Sequence, residues 1–254
     1  MNIYVLMKRT FDTEEKITLG ADGSINEQDA EFVINPYDEY AIEEAIAQRD
    51  KHGGEVTVVT VGREPSEQQL RTALAMGADR AVLIRCDERP LDPHQTAVLL
   101  ANYLKDKQAD LIIGGNIGVD WGTGQIGPRV AELLGIAQVT TITKLEVEGG
   151  RATVVRDAEG DEEIIEAQLP LLVTAQQGLN EPRYPSLPGI MKAKKKPLEV
   201  IDAEELGLAE TQAKTVTAGY FLPPKKTGGV KLQGDVREQA RQLVQKLIYE
   251  AKVI

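Results

Sequence analysis

The stretch Leu111-Ile112-Ile113-Gly114-Gly115-Asn116-Ile117-Gly118-Val119-Asp120-Trp121-Gly122-Thr123-Gly124-Gln125-Ile126-Gly127-Pro128 decides how the rest of the chain is read. Leu111 to Ile113 is a short apolar run of the kind a buried parallel strand makes. It passes straight into a loop that holds six glycines in the fifteen residues from Gly114 to Pro128. A helix follows from Arg129 to Leu134, and Gly135 ends it. Strand, glycine-rich loop and helix together let backbone N–H groups and the positive end of a helix dipole face a phosphate. On that reading the N–H groups of Gly122 to Gly127 surround the phosphate, and Thr123 and Gln125 add side-chain donors. The other reading is that the glycines only make tight turns. Trp121 either stacks on a base or covers the core. The loop has no Gly-Lys-[Ser/Thr], and no lysine lies inside it to drive phosphoryl transfer, so it suits holding a nucleotide rather than cleaving one.

The same alternation runs back to the N-terminus. Ile3 to Met7 reads as a first strand, and no Gly-x-Gly-x-x-Gly follows it, which excludes the nicotinamide fingerprint there. Ile17 to Ile25 alternates weakly around the turn signal Asp22-Gly23. Asn35-Pro36-Tyr37-Asp38 opens a helix, with Asn35 as its cap, Pro36 in the first position and Asp38 at the positive dipole end. Ala41, Ile42, Ala45 and Ile46 give that helix one apolar face. Val56 to Val61 is a β-branched run ended by Gly62. Ser66 to Gln69 has capping-box spacing ahead of Leu70, Ala73 and Leu74, and Gly77 stops that helix. Ala81 to Ile84 is a further strand. A third helix runs from Asp92-Pro93 to Lys107, with Val98, Ala101 and Leu104 inward. This order predicts βαβ units in an α/β fold, a doubly wound, mostly parallel, Rossmann-like sheet. Ligands of such sheets bind beyond the strand carboxyl ends at the switch point. Leu6, Met7 and Val61 then line the same crevice as the glycine loop, as do Asn35 to Asp38 if their helix starts beside it.

From Thr140 the pattern changes. Leu145 to Val147, Glu148-Gly149-Gly150 and Thr153 to Val155 read as a hairpin. Asp157 to Asp161 is an acidic turn, and Glu163 to Ala167 and Leu171 to Thr174 are two more strands. The group is read as an antiparallel ribbon that extends or flanks the sheet. Next comes Leu179-Asn180-Glu181-Pro182-Arg183-Tyr184-Pro185-Ser186-Leu187-Pro188-Gly189-Ile190-Met191-Lys192-Ala193-Lys194-Lys195-Lys196-Pro197. Its prolines bar regular helix or interior strand from the first half and stiffen the backbone. Leu187, Ile190 and Met191 stand in what reads as surface loop, beside Lys192, Lys194, Lys195 and Lys196. A rigid tip with apolar anchors and a basic rim docks another protein; the alternative is a solvated lysine run leading into a strand, or lysines paired with the chain's own acids.

Bulk composition narrows the classes. A net charge of -11 argues against nucleic acid as a partner. No apolar run is long enough for membrane insertion. Cys86, His52 and His94 cannot build a disulfide framework or a Cys/His metal cluster, which fits a cytoplasmic protein without a metal.

The run Val154 to Ile165 followed by Pro170 to Thr174, and the loop Leu179 to Tyr184 with Leu187 to Lys196, resemble the beta subunits of electron transfer flavoproteins. Asn35 to Asp38, Arg71 to Asp79, and Asp120 with Gln125-x-Gly127-Pro128 match that family too, so the resemblance covers almost the whole chain. It implies a heterodimer with a larger alpha subunit that holds most of the FAD, and a structural AMP in this subunit. AMP contacts carry over to Leu6, Asn35, Pro36, Tyr37, Asp38, Val61, Asp120, Gly122, Thr123, Gly124, Gln125, Ile126, Gly127 and Pro128. The family's recognition loop carries over to Asn180 to Lys196. Leu187 takes the anchoring position, with Pro188, Ile190, Met191, Lys192, Lys194, Lys195 and Lys196 around it. The resemblance further implies an electron carrier without substrate chemistry or catalytic residues of its own. Electrons pass from acyl-CoA-type dehydrogenases through FAD to a quinone-linked oxidoreductase. Gly115-Asn116 and Trp121-Gly122 depart from the family's usual pairs, which leaves AMP or a second FAD, as in bifurcating members, open. A stand-alone adenine-nucleotide-binding enzyme or sensor of the same fold is the alternative.

Residues 1–200, including the loop 179–197, are read as the nucleotide-binding domain and 201–254 as a C-terminal extension. Thr215 to Phe221 is a candidate strand, and Leu222 to Gly229 is a linker by composition. Val236, Ala240, Leu243, Val244, Leu247 and Ile248 form a stripe on a last helix. That stripe packs back on its own chain or, as the resemblance implies, reaches the alpha subunit.

Overall fold

A computed structural model describes residues 1–28, 30–87, 91–225 and 228–254. Its contacts divide into two compact units, one of Met1–Ile17 and Asn26–Ala218, the other of Thr18–Ile25 and Gly219–Ile254.

The first unit opens with β1 (Asn2–Leu6), β2 (Arg9–Phe11), β3 (Phe32–Ile34) and α1 (Pro36–His52). β4 (Glu55–Gly62), α2 (Glu67–Met76), β5 (Arg80–Arg85), α3 (Pro93–Leu104), β6 (Leu111–Gly115) and α4 (Ile126–Leu134) follow. The later elements are β7 (Ala137–Glu148), β8 (Arg151–Ala158), β9 (Asp161–Gln168), β10 (Leu171–Ala175), α5 (Leu187–Ala193) and β11 (Leu198–Asp202). Among the described residues, nine strands join in the order β11-β5-β4-β1-β6-β10-β7-β8-β9, and β2 and β3 pair separately. The chain winds from β1 through β4 to β5, then crosses back to β6 on the other side of β1. β1 pairs in parallel with both β4 and β6. The switch point therefore lies between the carboxyl ends of β1 and β6.

Successive strand residues face opposite ways, so the sheet carries a core on each face. Ile3, Val5, Val56 and Val58 meet Ile42 and Ile46 of α1 and Leu70 and Leu74 of α2. Val59, Val82, Ile84 and Ile112 meet Leu99 and Leu100 of α3 and Val130 of α4. Asp92 caps α3 with a full capping box. Val98 is half-buried, not inward; Leu99 and Leu100 on the adjoining face fill the core instead. Ser66 sits before α2 but makes no side-chain cap, because a 3-10 turn over Glu64–Ser66 runs straight into the helix.

The ribbon is corrected in one strand. β8 and β9 are antiparallel as expected, and the turn between β7 and β8 places Gly149 and Gly150 at φ +56° and +80°, which a two-residue hairpin needs. β10, however, lies parallel between β6 and β7, inside the wound sheet. Apolar on both faces, it is buried at every residue. β11 pairs with β5 and spans residue 200, so the boundary drawn there falls inside a strand, and the first unit runs on to Ala218.

In the second unit the bridge Leu19–Ile25 closes the turn that holds Gly23. Thr215 to Phe221 forms no strand. Of the linker Leu222 to Gly229, Lys226 and Thr227 lie outside the described residues, and the others have no regular structure. α6 (Val236–Lys246) is capped by Asp235, continues as a π-helical turn over Leu247–Ala251, and buries none of its residues.

Candidate functional site

The crevice is assembled at the switch point. Asp38, in the first turn of α1, is buried. Its Oδ2 accepts from the Lys8 N–H at 2.6 Å, and its Oδ1 accepts from the Gly115 N–H and from Asn35 Nδ2, both at 3.0 Å. One carboxyl thus holds the chain leaving β1 and the chain leaving β6. Burial pushes this carboxyl up to about 7, against three N–H donors that favour its ionised form. A Cβ on Gly115 would collide with Asp38 Oδ1 and Tyr37 Cβ, so the close approach of β6 to α1 requires glycine there.

Asn35 occupies the cap position of α1, with Pro36 after it, but its side chain does not cap the helix. Instead, Nδ2 donates to the Ile117 carbonyl at 2.8 Å and Oδ1 accepts from the Val119 N–H at 3.1 Å. The residue read as a local cap is engaged in fixing the glycine loop 82 positions away.

Within the loop, Gly118 O accepts from the Trp121 N–H at 3.2 Å and the Gly122 N–H at 2.7 Å. The Gly122 N–H therefore closes a turn and is not among the donors for a phosphate. Gly122 and Gly124 sit at φ +63° and +59°, where an L side chain is strained. Lys8 Nζ lies 2.6 Å from Asp120 Oδ1 and 5.9 Å from the centre of the Trp121 ring. Trp121 is 53% exposed, so it does not cover the core.

α4 begins at Ile126, three residues before its expected start, because Pro128 fits a first helical turn, where N–H groups lack partners in any case. A Cβ on Gly127 would stand 2.7 Å from Thr174 Cγ2, so glycine seats α4 on β10. Gln125 Oε1 accepts from Arg129 Nε and Nη2 at 3.1 and 2.9 Å, which brings a guanidinium to the helix start.

Leu6, Asn35, Pro36, Tyr37, Asp38 and Asp120 thus meet at the switch point. Val61 stands one strand away on β4, and Gly122, Thr123 and Gln125 lie on the exposed rim. Sequence reasoning missed Lys8, Asn116 and Thr174. Thr174 Oγ1 accepts from the Thr141 N–H at 3.1 Å and donates to Asn116 Oδ1 at 3.5 Å. Lys8 carried one signal, its position directly behind the first strand.

A second candidate surface lies on α1 and α2. The approach to it is pinned: Arg183 Nε and Nη2 each lie 2.8 Å from a different oxygen of Glu43, and Asn180 Nδ2 donates to Tyr40 O at 3.0 Å. Beyond Ser186 the chain is not loop but the helix α5. Ser186 Oγ accepts from the Gly189 N–H at 3.1 Å, and Pro188 stands in the first turn. Leu187 is 80% exposed and Met191 65%. Lys192, Lys194 and Lys195 are exposed around them. Lys196 is not a rim group: its Nζ donates to Leu74 O at 3.1 Å and Ala78 O at 2.5 Å, at the carboxyl end of α2. Burial pushes its ammonium below the usual lysine range.

Comparison with known proteins agrees with this architecture. Residues 22–206 match the electron transfer flavoprotein domain. The protein named electron transfer flavoprotein subunit beta in Bacillus subtilis (strain 168) is 59% identical, over 100% of both chains. Its namesake in Syntrophomonas wolfei subsp. wolfei is 39% identical, over 100% of this chain and 98% of that one. Acryloyl-CoA reductase electron transfer subunit gamma of Anaerotignum propionicum is 37% identical, over 98% of each. Together with the doubly wound sheet, these matches show that the chain belongs to the electron transfer flavoprotein family, among its beta subunits.

Proposed function

We propose that this chain is the non-catalytic half of a heterodimeric electron carrier in the cytoplasm. It pairs with a larger alpha subunit, holds AMP structurally in the switch-point crevice, and offers α5 to acyl-CoA-type dehydrogenases of fatty-acid oxidation. FAD, held mainly by the alpha subunit, supplies the redox chemistry when bound. Electrons leave for a quinone-linked oxidoreductase. The observation that carries the reading is the exposed apolar tip of α5, Leu187 above all, on a helix fixed to α2 by Arg71 and reached through a segment pinned to α1 by Arg183. A solvated lysine run needs no such anchoring.

The residues present fit an adenine nucleotide. Gly124 with its left-handed backbone, the Thr123 hydroxyl, the start of α4 and the Arg129 guanidinium form a donor set for a phosphate. Leu6 and Val61 offer apolar surface for a ring. Trp121, exposed and next in sequence to Gly122 and Thr123, presents its ring for stacking. Among the described residues no helix is long and apolar enough to cross a membrane.

The test is co-expression with the alpha subunit, followed by native mass spectrometry of the purified complex. One alpha, one beta, one FAD and one AMP are expected. Two FAD would make the protein a bifurcating carrier instead. A chain that takes up no alpha subunit and hydrolyses ATP would overturn both.

A further inference from the structure

α5 has seven residues and buries only Ala193. A helix this short does not hold itself in water. Its pose is set from outside, by two cations that act in opposite directions. Arg71, in the middle of α2, sends Nη1 to the carbonyls of Ala193 and Lys196, both at 2.8 Å. These carbonyls end α5 and the turn after it, where a helix leaves acceptors without partners. Lys196 in turn sends its ammonium to Leu74 O and Ala78 O, which end α2. Each segment is therefore closed by the other's charge, and each charge sits at the negative end of a helix dipole. Gly189 completes the seat: a Cβ there would stand 2.5 Å from Ala75 O, so α5 lies directly on the last turn of α2.

We infer that Arg71 and Lys196 are positioning residues for docking: their reciprocal clamp fixes the angle at which Leu187, Ile190 and Met191 leave the surface. The inference rests on the reading that α5 docks the dehydrogenase, and it assigns the orientation of that tip to two side chains that do not touch the partner. Because α5 contributes one buried residue, loosening the clamp alters the tip while the core stays packed. Arg71 reaches both carbonyls through the one nitrogen Nη1, held at the end of a planar, permanently charged group, and a lysine there would reproduce the charge on a more flexible stem.

The experiment uses the purified heterodimer and an acyl-CoA dehydrogenase, with carrier concentration varied. Variants are Arg71→Met, Lys196→Met, Arg71→Lys, Lys196→Arg, the reference Leu187→Ala and the pair Arg71→Met with Leu187→Ala. Arg71→Met and Lys196→Met are expected to raise KM about three- to tenfold, with kcat within twofold and the FAD spectrum unchanged. Arg71→Lys and Lys196→Arg should recover part of the loss. The paired variant should fall short of the product of its single effects, since a misplaced leucine has less to lose. An unchanged KM in Arg71→Met beside a raised KM in Leu187→Ala overturns the clamp and leaves the docking reading standing. An unchanged KM in Leu187→Ala removes both. Should the methionine variants fail to assemble, Arg71→Lys decides alone: an intermediate KM supports the clamp, and a wild-type KM overturns it.

Discussion

Lys8 and Asp120, 112 positions apart, close the glycine loop over the end of β1 through a 2.6 Å contact. Both side chains are partly exposed, 44% and 19%, so the pair adds less than about 1 kcal/mol to stability. Its larger effect is local, because it holds the turn that carries Trp121. Lys8→Met is expected to leave urea unfolding nearly unchanged and to speed chymotryptic cleavage after Trp121. Cleavage at the wild-type rate would show that Gly118 and Asn35 hold the loop without the ion pair.

Gly115 and Gly122 separate two reasons for glycine. At Gly115 a Cβ meets Asp38 and Tyr37, while at Gly122 space is open and only the left-handed backbone is strained. Gly115→Ala should destabilise by about 2–4 kcal/mol, and Gly122→Ala by about 1 kcal/mol. Denaturant melts of the two variants check the ranking, and equal losses would contradict it.

Asp38 predicts a pH dependence. Its native carboxyl keeps a proton to about 7, whereas an unfolded aspartate releases one near 3.9. Between those values the native state binds more protons, so this contribution falls as pH rises, by at most about 1.4 kcal/mol per pH unit, and the loss is complete above 7. Urea midpoints at pH 5.5, 6.5 and 7.5 should show wild type losing ground against Asp38→Asn. A difference constant with pH would mean that Asp38 is ionised throughout, its three donors outweighing burial.

α6 has an apolar stripe and no buried residue. Truncation after Pro224 is therefore expected to change the stability of the isolated chain by less than about 0.5 kcal/mol and to abolish co-purification with the alpha subunit. Unfolding of the truncated chain would mean that the helix serves its own core.

The wound sheet was legible because its strands are short apolar or β-branched runs, as Val56 to Val61 ahead of Gly62 shows, and because Asp92-Pro93 marks a helix start unambiguously. Direction was not legible. A run such as Leu171 to Ala175 is apolar on both faces whichever way it points, and only its neighbours β6 and β7 make it parallel. Proline misled twice: Pro188 reads as part of a helix-barring surface loop and Pro128 as part of the loop ahead of Arg129, yet both stand in first turns, where a missing N–H costs nothing. Within the crevice, the residues were visible but their partners were not. Asp38 reaches Gly115 across 77 positions, and Lys196 reaches Leu74 across 122. Nothing local in a lysine run says which member will turn inward.

The sheet ends at β9, an edge with no further strand among the described residues, which displays Asp161, Glu162, Glu163 and Glu166. Runaway growth of a sheet proceeds edge to edge, and a second copy of this chain would bring its own carboxylates against that row. Like-charge repulsion thus guards the molecule against polymerising through its own ribbon, most strongly in dilute buffer, and a concentrated salt solution weakens the guard.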